Sequence, residues 1–133
     1  MHKLSIALLI LAAALPVIAK EKHKDKRFEP VETTASQAAG RYVGIDPDYI
    51  VELTAGGGTL RNFARTATLT NLRFDGSELT ATAVYPGGAK QPLRATFVNR
   101  VKNGETAFGL MVHDADVRLS YEMMIKDLFC RRE

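Results

Sequence analysis

From Gly40 onward apolar and polar residues alternate along the chain, the pattern of a strand with one buried face. It is cleanest between Leu93 and Lys102. There Leu93, Ala95, Phe97 and Val101, with Asn99 among them, share one side, while Arg94, Thr96, Val98, Arg100 and Lys102 share the other. The preceding segment repeats it, with Leu79, Ala81, Ala83 and Tyr85 set against Thr80, Thr82 and Val84. One apolar and one wettable face per strand predict antiparallel sheet. Turn residues recur roughly every 8–12 positions, the spacing of all-β domains.

The pattern predicts strands over 40–45, 48–55, 58–63, 65–74, 77–85, 92–102, 105–113 and 116–126. Short links make sequence neighbours spatial neighbours. The predicted fold is therefore all-β: a small antiparallel meander of about eight strands, closed as a barrel or packed as a two-sheet sandwich. Before it, Thr34-Ala35-Ser36-Gln37 has the form of a capping box and Gly40 that of a helix stop. One short helical turn over 34–39 follows. In the last strand Val117, Leu119, Tyr121, Met123 and Ile125 alternate as an inner face, and Leu128 and Phe129 extend the apolar content, so the C-terminus is expected to be integral to the core.

The turns carry their own chemistry. Asp75-Gly76 and Asn103-Gly104 are two-residue hairpin signals. Tyr85-Pro86-Gly87-Gly88 places Pro and Gly as a type II turn requires, and Asp114-Ala115-Asp116 marks a further tight connection. Gly56-Gly57-Gly58 invites a phosphate-loop reading, but a P-loop ends in Gly-Lys-Ser/Thr and opens a helix. Here Thr59-Leu60-Arg61 follows between two extended segments. The triple glycine is a turn, expected to use the free φ of glycine.

Outside the β region the picture changes at the N-terminus. His2 and Lys3 precede an apolar run from Leu4 to Ile18 that ends at Val17-Ile18-Ala19 and is broken by Pro16. That is the layout of a cleaved signal peptide over residues 1–19, too short for a membrane span. The protein is thus expected to be exported, to the periplasm or outside the cell. The net charge of +3 is concentrated in Lys20, Lys22, Lys24, Lys26 and Arg27. Residues 20–33 read as a basic, disordered arm and linker, and 34–133 as a single β domain. No aromatic residue interleaves the arm's charges, so no nucleic-acid partner is expected. The single cysteine, Cys130, allows no intrachain disulfide; it reads as a small buried hydrophobe in a monomer or weak dimer.

Catalytic and metal signals are absent from the sequence. His113, with Asp114 and Asp116, lacks the recurrent spacings of a zinc site and the oxygen ligands of a calcium loop. Ser77 and Ser120 lack a nucleophile elbow. No enzyme activity, cofactor or metal is expected.

Gly40-Arg41-Tyr42, a Gly-x-aromatic step after a helical turn at the start of an eight-strand meander, resembles the opening of lipocalin-like (calycin) barrels. The resemblance covers the arrangement of residues 34–126 and implies a small apolar ligand. Small inner residues (Ala67, Ala81, Ala83, Ala95) alternate with aromatic ones, a pattern that either fills a tapering barrel or lines a pocket. Tyr42, Tyr85, Phe97, Asn99 and Tyr121 are the candidate ligand-binding residues, because buried hydroxyls and amides need partners that a ligand could supply. The expected function is a non-catalytic binding protein for a small apolar or amphipathic molecule. The alternative is a protein-interaction or inhibitor module with a solid β core.

Overall fold

A computed structural model describes residues 26–45, 47–118 and 124–133. The expected signal segment, the arm up to Asp25 and the 119–123 stretch that includes Tyr121 lie outside the described residues. The alternation resolves into β1 (Lys26–Pro30), α1 (Ala35–Ala38), β2 (Gly40–Gly44), β3 (Tyr49–Thr54), β4 (Gly57–Asn62), β5 (Arg65–Asp75), β6 (Glu78–Val84), β7 (Lys90–Lys102), β8 (Glu105–Arg118) and β9 (Met124–Arg132). From β2 to β9 each strand pairs antiparallel with its successor, and β9 pairs back onto β2 through Tyr42–Arg132 and Val43–Arg131. Eight strands therefore close into a barrel, plus one extra strand, β1. Closure removes the sheet edges that invite aggregation.

Strand β1 shows how the arm meets the barrel. β6 follows β7 only as far as Thr96; from Val98 to Lys102 the vacated edge of β7 is taken by Pro30 to Lys26. The basic lead-in is thus strand from Lys26 on, because β7 offers it a row of unpaired backbone groups. The hand-over is hydrogen-bonded: Val31 N–H donates to the Phe97 carbonyl at 2.8 Å, and Phe97 N–H to that of Ser77 at 2.8 Å.

The inner faces match the alternation. Tyr42, Val51, Leu69, Leu79, Ala95, Phe97, Leu110, Val112 and Cys130 are each at most 2% exposed. Thr34 caps α1 in a reciprocal capping box with Gln37. The turns hold in part. Asn103 and Gly104 both have positive φ. Gly88 N–H reaches the Tyr85 carbonyl at 3.0 Å, with Gly87 at φ 94° as a type II turn requires. At the β5–β6 hairpin the two-residue loop is Gly76-Ser77, one place later than the Asp75-Gly76 expected, because Asp75 still pairs with Glu78.

Three expectations are corrected. None of Gly56, Gly57 and Gly58 has a positive φ; the hairpin is there, but freedom of φ is not what it uses. Gly58 faces the core, where a Cβ would collide with the Glu52 carbonyl and lie 3.2 Å from Leu53 Cδ2. Asp114 does not end its strand. It sits at φ 51° where the β8–β9 register shifts, a bulge that lets β8 run on to Arg118. Bulge and turn use the same left-handed residue, so the local sequence does not separate them. Consequently the predicted strand 116–126 straddles a hairpin: Val117 pairs with Ile125, and Arg118 with Met124. The final strand runs instead to Arg132.

Candidate functional site

The barrel has two ends. At one, β2 begins and β9 finishes, and the interior there is filled by rings. Phe97 lies parallel to Phe108 at 6.0 Å and to Phe74 at 6.2 Å, with Tyr42 at 6.1 Å from Phe97 and 6.3 Å from Phe108. Helix α1 packs there, and the Tyr42 hydroxyl donates to the Ala38 carbonyl at 2.6 Å. Arg132 donates to the Gln37 carbonyl at 2.9 Å and lays its guanidinium over Phe108. The Gly-x-aromatic step thus ties α1 to the barrel base, and burial raises the Tyr42 hydroxyl above its ordinary value despite Arg132.

The other end is the mouth. Tyr49, Leu60, Ala83, Tyr85, Leu93 and Val112 surround a cavity of about 30 Å³ there, with Asn62 and Gln91 at its edge. That is room for a water molecule or a small polar group. Tyr49 is 1% exposed and Tyr85 4%, and neither hydroxyl has a hydrogen-bond partner among the described residues. Burial pushes the Tyr49 hydroxyl well above the usual tyrosine range, with Cys130 and Tyr85 adding to the shift. Outside, the Arg65 guanidinium lies 4.0 Å over the Tyr85 ring. The backbone around this rim holds Ile45 at φ 33°, Phe63 at φ 57° and Asp114 at φ 51°, a conformation unfavourable for side chains like the first two.

The five expected site residues do not come together. Tyr42 and Phe97 are at the base with the hydroxyl of Tyr42 engaged by the protein. Asn99 is half-buried on β7, paired with Phe108 and Glu29. Tyr85 is at the mouth, and Tyr121 lies outside the described residues. Tyr49 and Asn62 were missed. The parity that marks Val51 and Leu53 as inward also marks Tyr49, but the run Tyr-Ile-Val hides it.

A second polar cluster crosses the outer wall. Thr96 Oγ1 lies 2.8 Å from His113 Nε2, and His113 Nδ1 lies 3.3 Å from Asp127 Oδ1. The order is that of nucleophile, base and orienting acid. However, the one hydroxyl proton also faces both Glu78 oxygens, at 2.9 and 3.1 Å, and a carboxylate there opposes an alkoxide. The chain is a clamp joining β6, β7, β8 and β9. Among the described residues no group of three His, Cys, Asp or Glu side chains is placed to hold a metal, and no helix is long and apolar enough to cross a membrane.

The fold defines the class: an eight-strand antiparallel closed barrel with one added strand, an architecture consistent with the lipocalin-like barrels. Compared with known proteins, the chain matches no family model, and no characterised sequence or solved structure matches it significantly.

Proposed function

We propose that this is an exported, non-catalytic binding protein, a lipocalin-like barrel that takes the polar end of a small apolar or amphipathic molecule at its mouth. The observation that carries the reading is the Tyr49 hydroxyl, which has no hydrogen-bond partner among the described residues and lines a small cavity together with Tyr85, whose hydroxyl is likewise unbonded. A ligand oxygen at this point would give the hydroxyl a hydrogen bond worth a net ~1 kcal/mol. The left-handed Ile45 and Phe63 at the same rim support it, since backbone strain of this kind gathers at binding sites. The cavity admits only the ligand's polar end, so its body would lie against the rim. A second reading, a protein-interaction or inhibitor module with no ligand cavity, draws on the ring-filled base.

Native mass spectrometry of freshly purified protein, then titration with fluorescent fatty-acid and steroid analogues, separates the two. The ligand reading expects saturable binding that Tyr49→Phe weakens about five- to tenfold, the loss of one net hydrogen bond of ~1 kcal/mol. No co-purifying molecule and no saturable binding would leave the interaction module.

A further inference from the structure

The outer wall near the barrel base carries an uncompensated cation on an aromatic pair. Arg100, on β7, stacks over the Phe129 ring at 4.9 Å. Its Nε is buried without a partner, and among the described residues no ion pair or hydrogen bond neutralises its guanidinium. Phe129 in turn meets Phe28 of β1 at 5.7 Å. Phe28 is the large apolar side chain left exposed among the described residues, at 38%. The register puts Lys26 opposite Lys102 and Phe28 opposite Arg100, with Arg131 exposed on β9 beyond Phe129. Glu105, opposite Lys102, is the acidic residue paired into this row. Glu29 is engaged by Arg27 at 3.0 Å.

We propose that this wall docks on a membrane surface bearing anionic phosphate headgroups, with Phe28 entering the interface and Arg100, Lys26 and Lys102 meeting phosphates. Guanidinium and phosphate match in charge and in fork geometry. An exposed aromatic flanked by cations is how a monotopic protein combines apolar burial with electrostatic attraction. A nucleic acid would need aromatic faces free for stacking. Here Lys26 Nζ lies over the Phe28 ring at 6.0 Å and Arg100 over that of Phe129, and the two rings tilt 44° against each other.

The test is co-sedimentation of the protein, purified from the cell that makes it, with vesicles of phosphatidylcholine alone or mixed with phosphatidylglycerol. Binding is expected on the mixed vesicles, to weaken with added salt, and to fall about fivefold for Lys102→Gln, the effect of one cation at an anionic surface. Arg100→Gln should lose as much, and Phe28→Ser should lose binding even at low salt. Lys102 is exposed, so its replacement reads the surface even if Phe28→Ser disturbs the packing on Phe129. Equal binding to uncharged vesicles, wild-type binding by Arg100→Gln and Lys102→Gln, or tighter binding to an oligonucleotide than to the vesicles would each overturn the proposal.

Discussion

Raising the pH should destabilise this protein through its one thiol. Cys130 is fully buried, its sulfur packed where a Cβ on Gly44 would lie 2.8 Å away. Burial pushes the thiol from 9.0 up to about 12. The unfolded chain therefore releases this proton near pH 9 while the folded chain keeps it. Above that pH the unfolded state binds fewer protons, so stability falls as pH rises, until the folded thiol also ionises near pH 12. Below pH 9 the group contributes no slope. Each unit of displacement is worth about 1.4 kcal/mol, so the thiol alone removes about 1.4 kcal/mol between pH 8 and pH 10 and about 3 kcal/mol by pH 11. Set against a typical domain stability of about 5–15 kcal/mol, that loss is large. The hydroxyls of Tyr42 and Tyr49, also raised by burial, act in the same direction from about pH 10.

Urea unfolding followed by circular dichroism at several pH values from 8 to 10 measures it, with Cys130→Ala as the reference. The variant starts lower by its lost packing, but that offset does not depend on pH. The contribution of Tyr42 is common to both, and that of Tyr49 loses only the part that Cys130 adds, which widens the difference in the same direction. The pH-dependent loss of the wild type should exceed that of the variant by about 1.4 kcal/mol. Parallel curves would refute the reasoning. The same burial should keep Cys130 silent to Ellman's reagent in the folded protein and reactive once urea is added.

Gly58→Ala should destabilise by about 1–3 kcal/mol through overpacking against the Glu52 carbonyl, while Gly56→Ala, with nothing within 4 Å of its Cβ, should be near neutral; equal urea midpoints would show that the triple glycine acts only as a turn. Tyr42→Phe should cost about 1–3 kcal/mol by leaving the Ala38 carbonyl without its donor, which thermal denaturation would read as a lowered Tm, and an unchanged Tm would mean that α1 is not tied down by this bond.

Much of the barrel is legible in the chain. Seven of the eight expected strands fall within two residues of those observed at their starts, because the alternation reports burial directly and the Pro, Gly and Asn residues between report φ. The eighth was misplaced at the Asp114 bulge, where a left-handed aspartate looks like the end of a strand. The site was less legible. Alternation names the residues that point inward, Tyr42, Tyr85 and Phe97 among them, but does not say at which height in the barrel each sits. Whether a buried hydroxyl is satisfied depends on what stands opposite: Tyr42 meets a helix carbonyl and Tyr49 meets a cavity.

The sequence by itself determined the antiparallel strands, the Thr34 cap and the left-handed Asn103-Gly104 turn, because each rests on sterics and hydrogen bonds within a few residues. Only the tertiary structure decided that β9 returns to β2, that Lys26–Pro30 completes the edge of β7, that Gly58 is needed for space rather than for φ, and which tyrosine keeps a free hydroxyl. These rest on contacts between residues distant in sequence, where competing partners for the same backbone edge or the same oxygen are settled by geometry.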